Sequence, residues 1–476
     1  MGLKDSKDLA EEIVDRARRA GAAFCDVRFT EIKAAHILVQ DGRADKVSAE
    51  EGRGFGTRVL ADGAWGFACA DGLEKRTLLA KVDEALHMAR ASKEHVRDAG
   101  VVSCTRTVEG RESTPVRRDP SSVSISEKMR PLVLLERAPR QKYASLVVNT
   151  VVIYGDFAAR ETIANSFGTF VERQVVRTSV AAMVTVAKGN MRQRNSQRKA
   201  MLSGFELVEG LTPEESSLLA AERAVTALDA RKAPPGEMPV VFHPSITGLL
   251  VHEALGHSAE ADSVWSGESI LRGRLGETVA SPLVTIIDDS TVPRAYGSYQ
   301  FDSEGTPGGR RIIVANGVLE TFLHSLETAA RFGVEPTGSG RAEDCSAPPI
   351  VRMSNTYMAR GKSSLEEMLT GIDRGIYLRE GEWGYVFVEK GHFTCHASSA
   401  QMIEHGKLGE PLRDVTVSGP ALETLKDIDM VGSDFELRLP GQCGKAGQGI
   451  PTDAGGPHVR VKRLTVGGEE KVDSRQ

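Results

Sequence analysis

Residues Val251-His252-Glu253-Ala254-Leu255-Gly256-His257-Ser258 read VHEALGHS. In the metal-binding helix pattern H-E-x-x-H the two histidines stand four apart, on one helix face. Here they stand five apart. Five residues of a regular α-helix advance about 500°, leaving the two side chains about 140° apart around the axis. A shared metal therefore demands an irregular helix. A π-type turn, bonded i→i+5, brings the rings back together, and a helix that ends or distorts at Gly256-His257 serves as well. Gly256 eases such a distortion, because glycine tolerates unusual backbone angles. Glu253, beside His252, would then face water on that metal. The competing reading is a plain capped helix with one core histidine and one surface histidine. In a chain with 11 His among 476 residues, H-[DE]-x-x-x-H arises by chance only about 0.03 times.

The flanking sequence places this helix in a β-rich setting. Val240–Phe242 reads as a short strand, and Pro244 sits in the first helical turn. Downstream, residues 283–287, 312–314, 318–323, 385–388, 415–418 and 459–466 have strand composition. Asn316-Gly317 signals a tight hairpin, and Ser364-x-x-Glu367 caps a short helix near 365–372.

The first half reads as α+β. A helix over residues 6–20 is expected, with Ser6 as cap, an apolar stripe of Leu9, Ile13, Val14 and Ala17, and Gly21 as stop. Phe24–Thr30 alternates as a strand, and Asp41-Gly42, Asp62-Gly63 and Asp71-Gly72 read as hairpin turns. Helices are expected near 74–92 and 126–138, separated by a polar connector at 98–124. Long alternating segments cover 146–187 and turn near Asn165–Gly168. Thr212-Pro213-Glu214-Glu215 opens a helix running to about Arg231. Lys232–Pro239, KAPPGEMP, is compatible with neither a helix nor a central strand and marks a boundary. The expected architecture is an N-terminal α/β domain with an antiparallel sheet (1–235), then a mostly-β domain (236–476) carrying the functional helix.

Composition narrows the function. A 40% apolar, 26% charged chain is an ordinary globular balance. A net charge of -5 gives no reason to expect nucleic acid or an anionic membrane surface as partner. No apolar run is long enough to span a bilayer, and the charged, amphipathic N-terminus lacks a signal core. Six cysteines without a C-x-x-C pair make neither a disulfide scaffold nor a zinc ribbon. A reducing, cytoplasmic location follows, with thiols free to bind metal.

Catalytic zinc usually takes three protein ligands and keeps one position open. For the third ligand the sequence offers His243, Glu260, Asp262, Cys345, Cys395, His396, Cys443 and His458. Cys395 and His396 are neighbours on a strand, so they point to opposite faces and do not readily serve one ion. Cys443 lies in Gly441–Gln448, GQCGKAGQ, where glycines leave the backbone unhindered; an incidental cysteine in a glycine-rich turn is the bland alternative. A phosphate-binding loop fails, because Leu439 and Ala446 occupy positions that need Gly and Ser/Thr. Lys445 would lower the Cys443 pKa or point to water. Asp302 and Glu304 would order a loop or line the cleft.

HEALGH paired with GQCGKAGQGIP resembles the TldD/PmbA family, in its metal-bearing TldD branch. So do FDSEGTP (301–307), GVEPTGSG (333–340), RMSNTYM (352–358) and the terminal LTVGG (464–468), all in order along nearly the whole chain. The resemblance implies a two-domain zinc metalloprotease, with an α/β N-terminal domain and a β-barrel-like C-terminal domain. It implies Zn2+ held by His252, His257 and Cys443, with Glu253 as general base. It also implies a homodimer, or a heterodimer with a PmbA/TldE-type subunit lacking the metal motif. Its substrates are unfolded proteins or leader peptides. The family's older "modulator of DNA gyrase" label has no support in these residues. Two alternatives remain. One is a dipeptidyl peptidase with an HELLGH-like helix and a glutamate ligand, whose second acidic motif has no good match. The other is a non-catalytic metal-binding or partner-modulating subunit.

Overall fold

A computed structural model describes residues 3–102 and 106–467. Residues 103–105 of the connector and Gly468 of the terminal match lie outside the described residues.

The first sheet runs Ala64–Asp71, Arg43–Ala61, Phe24–Gln40, Val147–Asn165, Phe170–Lys188, and then Glu109–Ser113, with Met191–Met201 also pairing Phe170–Lys188. The strands are far longer than local alternation suggested: Phe24–Gln40 has 17 residues. It is paired along both edges, with Arg43–Ala61 and Val147–Asn165, and those neighbours extend it past the apolar run. The helices Leu3–Arg19 and Lys75–Ser92 cover one face, burying Ile13, Val14 and Ala17 with Leu78, Val82 and Leu86.

Several local expectations shift. The first helix begins at Leu3, so Ser6 lies inside it and is not its cap. Asp41-Gly42 and Asp62-Gly63 do turn hairpins, with positive φ at all four residues. Asp71-Gly72 instead ends a strand and leads to the helix Lys75–Ser92. The polar connector contains the strand Glu109–Ser113, parallel to Phe170–Lys188. The helix expected to stop at 138 spans Ile125–Lys142 and runs through Pro131 and Pro139. Thr212 Oγ1 accepts from the Glu215 N–H at 3.3 Å, but this closes only a turn, and the helix is Ser217–Asp229.

The second half is built on a closed five-strand barrel: Gly236–Phe242, Arg374–Phe387, His392–Glu404, Val415–Pro420 and Val459–Val466. The segment KAPPGEMP therefore does enter a central strand, from Gly236 onward. Pro239 is accommodated because it sits where the register with Val459–Val466 shifts, one residue before pairing with Arg374–Phe387 begins at Val240. Its missing N–H costs no ladder bond there. One core joins barrel residues Phe242, Phe393, Val417 and Leu464 to Ile246, Leu250 and Leu255 of the functional helix.

A further sheet contains Val318–Leu319, Arg310–Ala315, Ile286–Asp289, Asn355–Met358 and Gln448–Gly456. Asn316-Gly317 is its expected tight turn, with φ of 47° and 86°. The glycine-rich GQCGKAGQ segment is not a loop. It is a β-hairpin of Gly441–Lys445 and Gln448–Gly456, turning at Ala446-Gly447.

The two halves are joined by buried charge. Arg58 of the first sheet binds Asp26 at 2.5 Å and Glu304 at 2.7 Å. Asp302 accepts three backbone N–H groups, from Glu304, Thr306 and Gly340. Both acids are fully buried, so FDSEGTP orders a loop at this junction.

Candidate metal centre

The functional helix starts at Pro244, capped by the His243 side chain, and is regular to Val251. His252–Gly256 then forms one π-turn, in which the His257 N–H donates to the His252 carbonyl. Of the irregularities that the five-residue spacing allows, this is the i→i+5 bonded one. The two rings end 5.0 Å apart, nearly perpendicular at 88°. Gly256 plays a different part from the one expected. Its φ of -52° and ψ of -54° are ordinary helical values. A Cβ there would lie 2.2 Å from the Met353 sulfur, so the glycine provides room, not conformational freedom.

The cysteine hairpin reaches this turn through close packing. A Cβ on Gly248 would lie 2.4 Å from the Gly455 nitrogen, so the helix rests directly on the hairpin's second strand. The Cys443 Sγ consequently sits 3.3 Å from His252 Nε2 and 3.3 Å from His257 Nε2. Among the described residues these three form the one His/Cys/Asp/Glu group whose donor atoms converge, all within 4.8 Å of one another. Tetrahedral nitrogen and sulfur ligands at usual zinc distances are about 3.3–3.6 Å apart. The donor types and spacings both suit such an ion.

Surrounding residues hold the donors in place. The Glu260 carboxylate lies 3.2 Å from His257 Nδ1, leaving Nε2 turned toward the sulfur. Lys445 binds Glu260 at 3.1 Å and Asp262 at 2.6 Å, so it ties hairpin to helix. Arg352, fully buried, donates to the carbonyls of Cys443 and Gln448 and lies 3.9 Å from Glu260. Sequence reasoning missed Arg352 and the part played by Glu260. An arginine in the apolar run Ile350-Val351-Arg352-Met353 was the available signal.

The electrostatics follow from this arrangement. Burial pushes the Cys443 thiol up, but the His252 charge and hydrogen bonds with both imidazoles pull it down to about 4. Burial disfavours charge on His257, yet Glu260 and the Cys443 sulfur leave its pKa well above the ordinary value. Burial likewise raises Glu260, and Lys445, His257 and Arg352 bring it down to about 2.

The other third-ligand candidates lie elsewhere or act on other partners. His458 binds Asp434 at 2.6 Å and the Tyr377 hydroxyl at 3.0 Å, with His243 beside it. His396 stacks on Trp383. Cys395 is buried in the barrel core, and Cys345 lies against Gly54 of the first sheet. Asp262 is taken by Lys445.

His252, Glu253, His257 and Cys443 line a cavity of about 930 Å³. Met183, Gln197 and Arg198 of the first sheet form part of its wall, and residues 380–390 another. Arg374–Phe387 pairs with Gly236–Phe242 only at Ile376–Leu378. Beyond that, its strand partner among the described residues is His392–Glu404 alone, so residues 380–387, which line the cleft, are paired along one edge only.

Three family models match the chain: PmbA/TldA metallopeptidase domain 1 at residues 25–89, the central domain at 118–228, and the C-terminal domain at 235–468. The chain belongs to the TldD/PmbA metallopeptidase family. A metalloprotease of Methanothermobacter thermautotrophicus is 39% identical over 446 residues, covering 94% of this chain and 95% of that one. A Saccharolobus solfataricus protein called a zinc metalloprotease TldD homolog is 25% identical, covering 96% and 99%. Among solved structures, a Thermotoga maritima protein described as a candidate modulator of a DNA gyrase matches with TM-score 0.78 at 27% identity, covering 97% and 100%. TldE of Thermococcus kodakarensis shares the fold at TM-score 0.78 and 20% identity, covering 97% and 100%. No described helix of this family member is long and apolar enough to cross a membrane.

Proposed function

We propose that this TldD/PmbA-family chain is a zinc-dependent peptidase, with His252, His257 and Cys443 as metal ligands and Glu253 as general base. One observation carries the reading: the Cys443 Sγ stands 3.3 Å from both imidazole Nε2 atoms at the wall of a large cleft. Bound zinc supplies a Lewis acid and brings the pKa of water toward neutrality. His252 and His257 each present Nε2, and Glu260 fixes the tautomer of His257 through Nδ1. Glu253 lines the same cleft, takes a proton from water and passes it to the departing amine.

The substrate is an unfolded or extended polypeptide, as in protein turnover or leader-peptide processing. The free edge at residues 380–387 supports this, because an added strand is read through its backbone and a folded protein cannot offer one. Residues 236–476 form the metallopeptidase unit, and residues 1–235 supply the facing wall of the cleft. The chain works in the cytoplasm, in keeping with free thiols at Cys25, Cys69, Cys345, Cys395 and Cys443. It acts as a homodimer or with a PmbA/TldE-type subunit, a pairing suggested by the shared TldE fold.

Metal analysis of purified wild type and Cys443→Ser tests the ligand set. Loss of zinc in the variant is expected. Undiminished zinc would remove Cys443 from the site and favour a glutamate ligand in its place.

A further inference from the structure

A second cavity, of about 480 Å³, lies between the first sheet and the C-terminal half, beside the cysteine hairpin. Its volume falls in the range of small-ligand sites. Three arginines line it: Arg173, Arg177 and Arg341. All are at least nine-tenths buried, with 8%, 8% and 6% of their surfaces exposed.

The three are not equally neutralised. Arg173 is held by Glu112 at 3.1 Å and Glu161 at 3.3 Å. Among the described residues, Arg177 donates only to carbonyls, those of Tyr296 at 3.1 Å and Ser298 at 3.4 Å. Arg341 likewise donates to the Met353 carbonyl at 2.5 Å and the Pro451 carbonyl at 2.8 Å, and lies over the Tyr299 ring. The acids nearby bind other partners: Asp288, buried and within electrostatic reach of Arg341, accepts from Ser354 and Thr356. Asp302 is held by backbone N–H groups, and Glu343, exposed at the rim, accepts from the Gly449 N–H. Burial lowers the pKa of both Arg177 and Arg341, the latter to about 10; neighbouring arginines add to the effect, against Tyr296, Glu112 and Glu161 at Arg177 and Tyr299 at Arg341.

Buried charges are ordinarily paired, and a guanidinium's planar fork suits a carboxylate. Phe157, Val175, Tyr299 and Ile450 add apolar wall around the two arginines. We infer that this cavity is a binding site for a carboxylate carried on a small apolar body, received by Arg177 and Arg341. Gln442 lines both this cavity and the metal cleft. The carboxylate therefore belongs either to the peptide being processed or to a free organic acid. The first source rests on the peptidase reading; the site itself does not.

The test is calorimetric titration of the full chain with N-acetyl-leucine and with its amide. The acid is expected to bind about tenfold tighter or more, the difference a charge-assisted hydrogen bond makes. Arg341→Met should erase that preference. Phe157→Glu, which adds a carboxylate to the wall and keeps every arginine, should erase it too and guards against a folding defect in the first variant. Equal affinity for acid and amide in the wild type overturns the proposal. So does a preference that vanishes when zinc is removed by a chelator, since the acid would then sit on the metal. A preference that survives chelation supports the cavity even if the peptidase reading fails. Cleavage of one peptide with a free or an amidated C-terminus then identifies the source. Faster cleavage of the free acid, lost in Phe157→Glu, supports the substrate as the source. Equal rates overturn that source and leave a free acid as the ligand.

Discussion

The Glu260 carboxylate stands 3.2 Å from His257 Nδ1, and the same side chain is bound by Lys445 from the cysteine hairpin. One buried acid therefore orients a histidine on the helix and anchors the strand that carries the thiol. Glu260→Gln should weaken zinc binding by about 10–100-fold, the usual effect of losing such an orienting partner. Competition against a chromophoric chelator measures it. Affinity equal to wild type would mean that helix geometry alone fixes His257.

Glu253 and the ligands should separate in their effects. Glu253→Gln should keep zinc at wild-type stoichiometry and lose cleavage of an unfolded protein by about 10²–10⁴-fold. Undiminished cleavage would exclude Glu253 as the base.

Two glycines set how closely the parts of the site approach. A Cβ at Gly248 would meet hairpin backbone at 2.4 Å, whereas one at Gly256 would meet the end of the Met353 side chain. Backbone cannot step aside as a thioether can. Gly248→Ala should cost about 1–3 kcal/mol in chemical denaturation and reduce bound zinc. Gly256→Ala should cost less and be relieved by Met353→Ala. Equal penalties would refute this steric account.

Acid stability should depend on a histidine outside the converging ligand group. Burial lowers the His324 pKa to about 4, where the ring lies among Phe322 and Phe332. An unfolded histidine titrates near pH 6.5. The unfolded chain thus binds more protons between those values, so stability from this group is complete above about pH 6.5 and is lost as pH falls toward 4. His324→Phe keeps an aromatic ring and should flatten the stability–pH slope in that interval by up to about one proton. An unchanged slope would assign the acid sensitivity to other groups, His243 among them, whose pKa burial also lowers to about 4.

The sequence by itself determined what short-range rules govern. The five-residue histidine spacing called for an irregular helix at a shared metal, which the π-turn supplies, and the Asn316-Gly317 dipeptide and Ser364 box placed a hairpin and a helix start. Ring alignment, positive φ and capping bonds each involve neighbours only a few residues away, so the letters carry them. Tertiary structure alone decided strand length, since Phe24–Gln40 continues past its apolar run only because two partners flank it. It also turned the glycine-rich segment into a hairpin and gave Pro239 a place in a barrel strand. The meeting of Cys443 with His252, 191 positions apart, and the buried ties from Glu260, Lys445 and Arg352 depend on groups brought together from distant segments. Their energies come from burial and close approach, which no local period records.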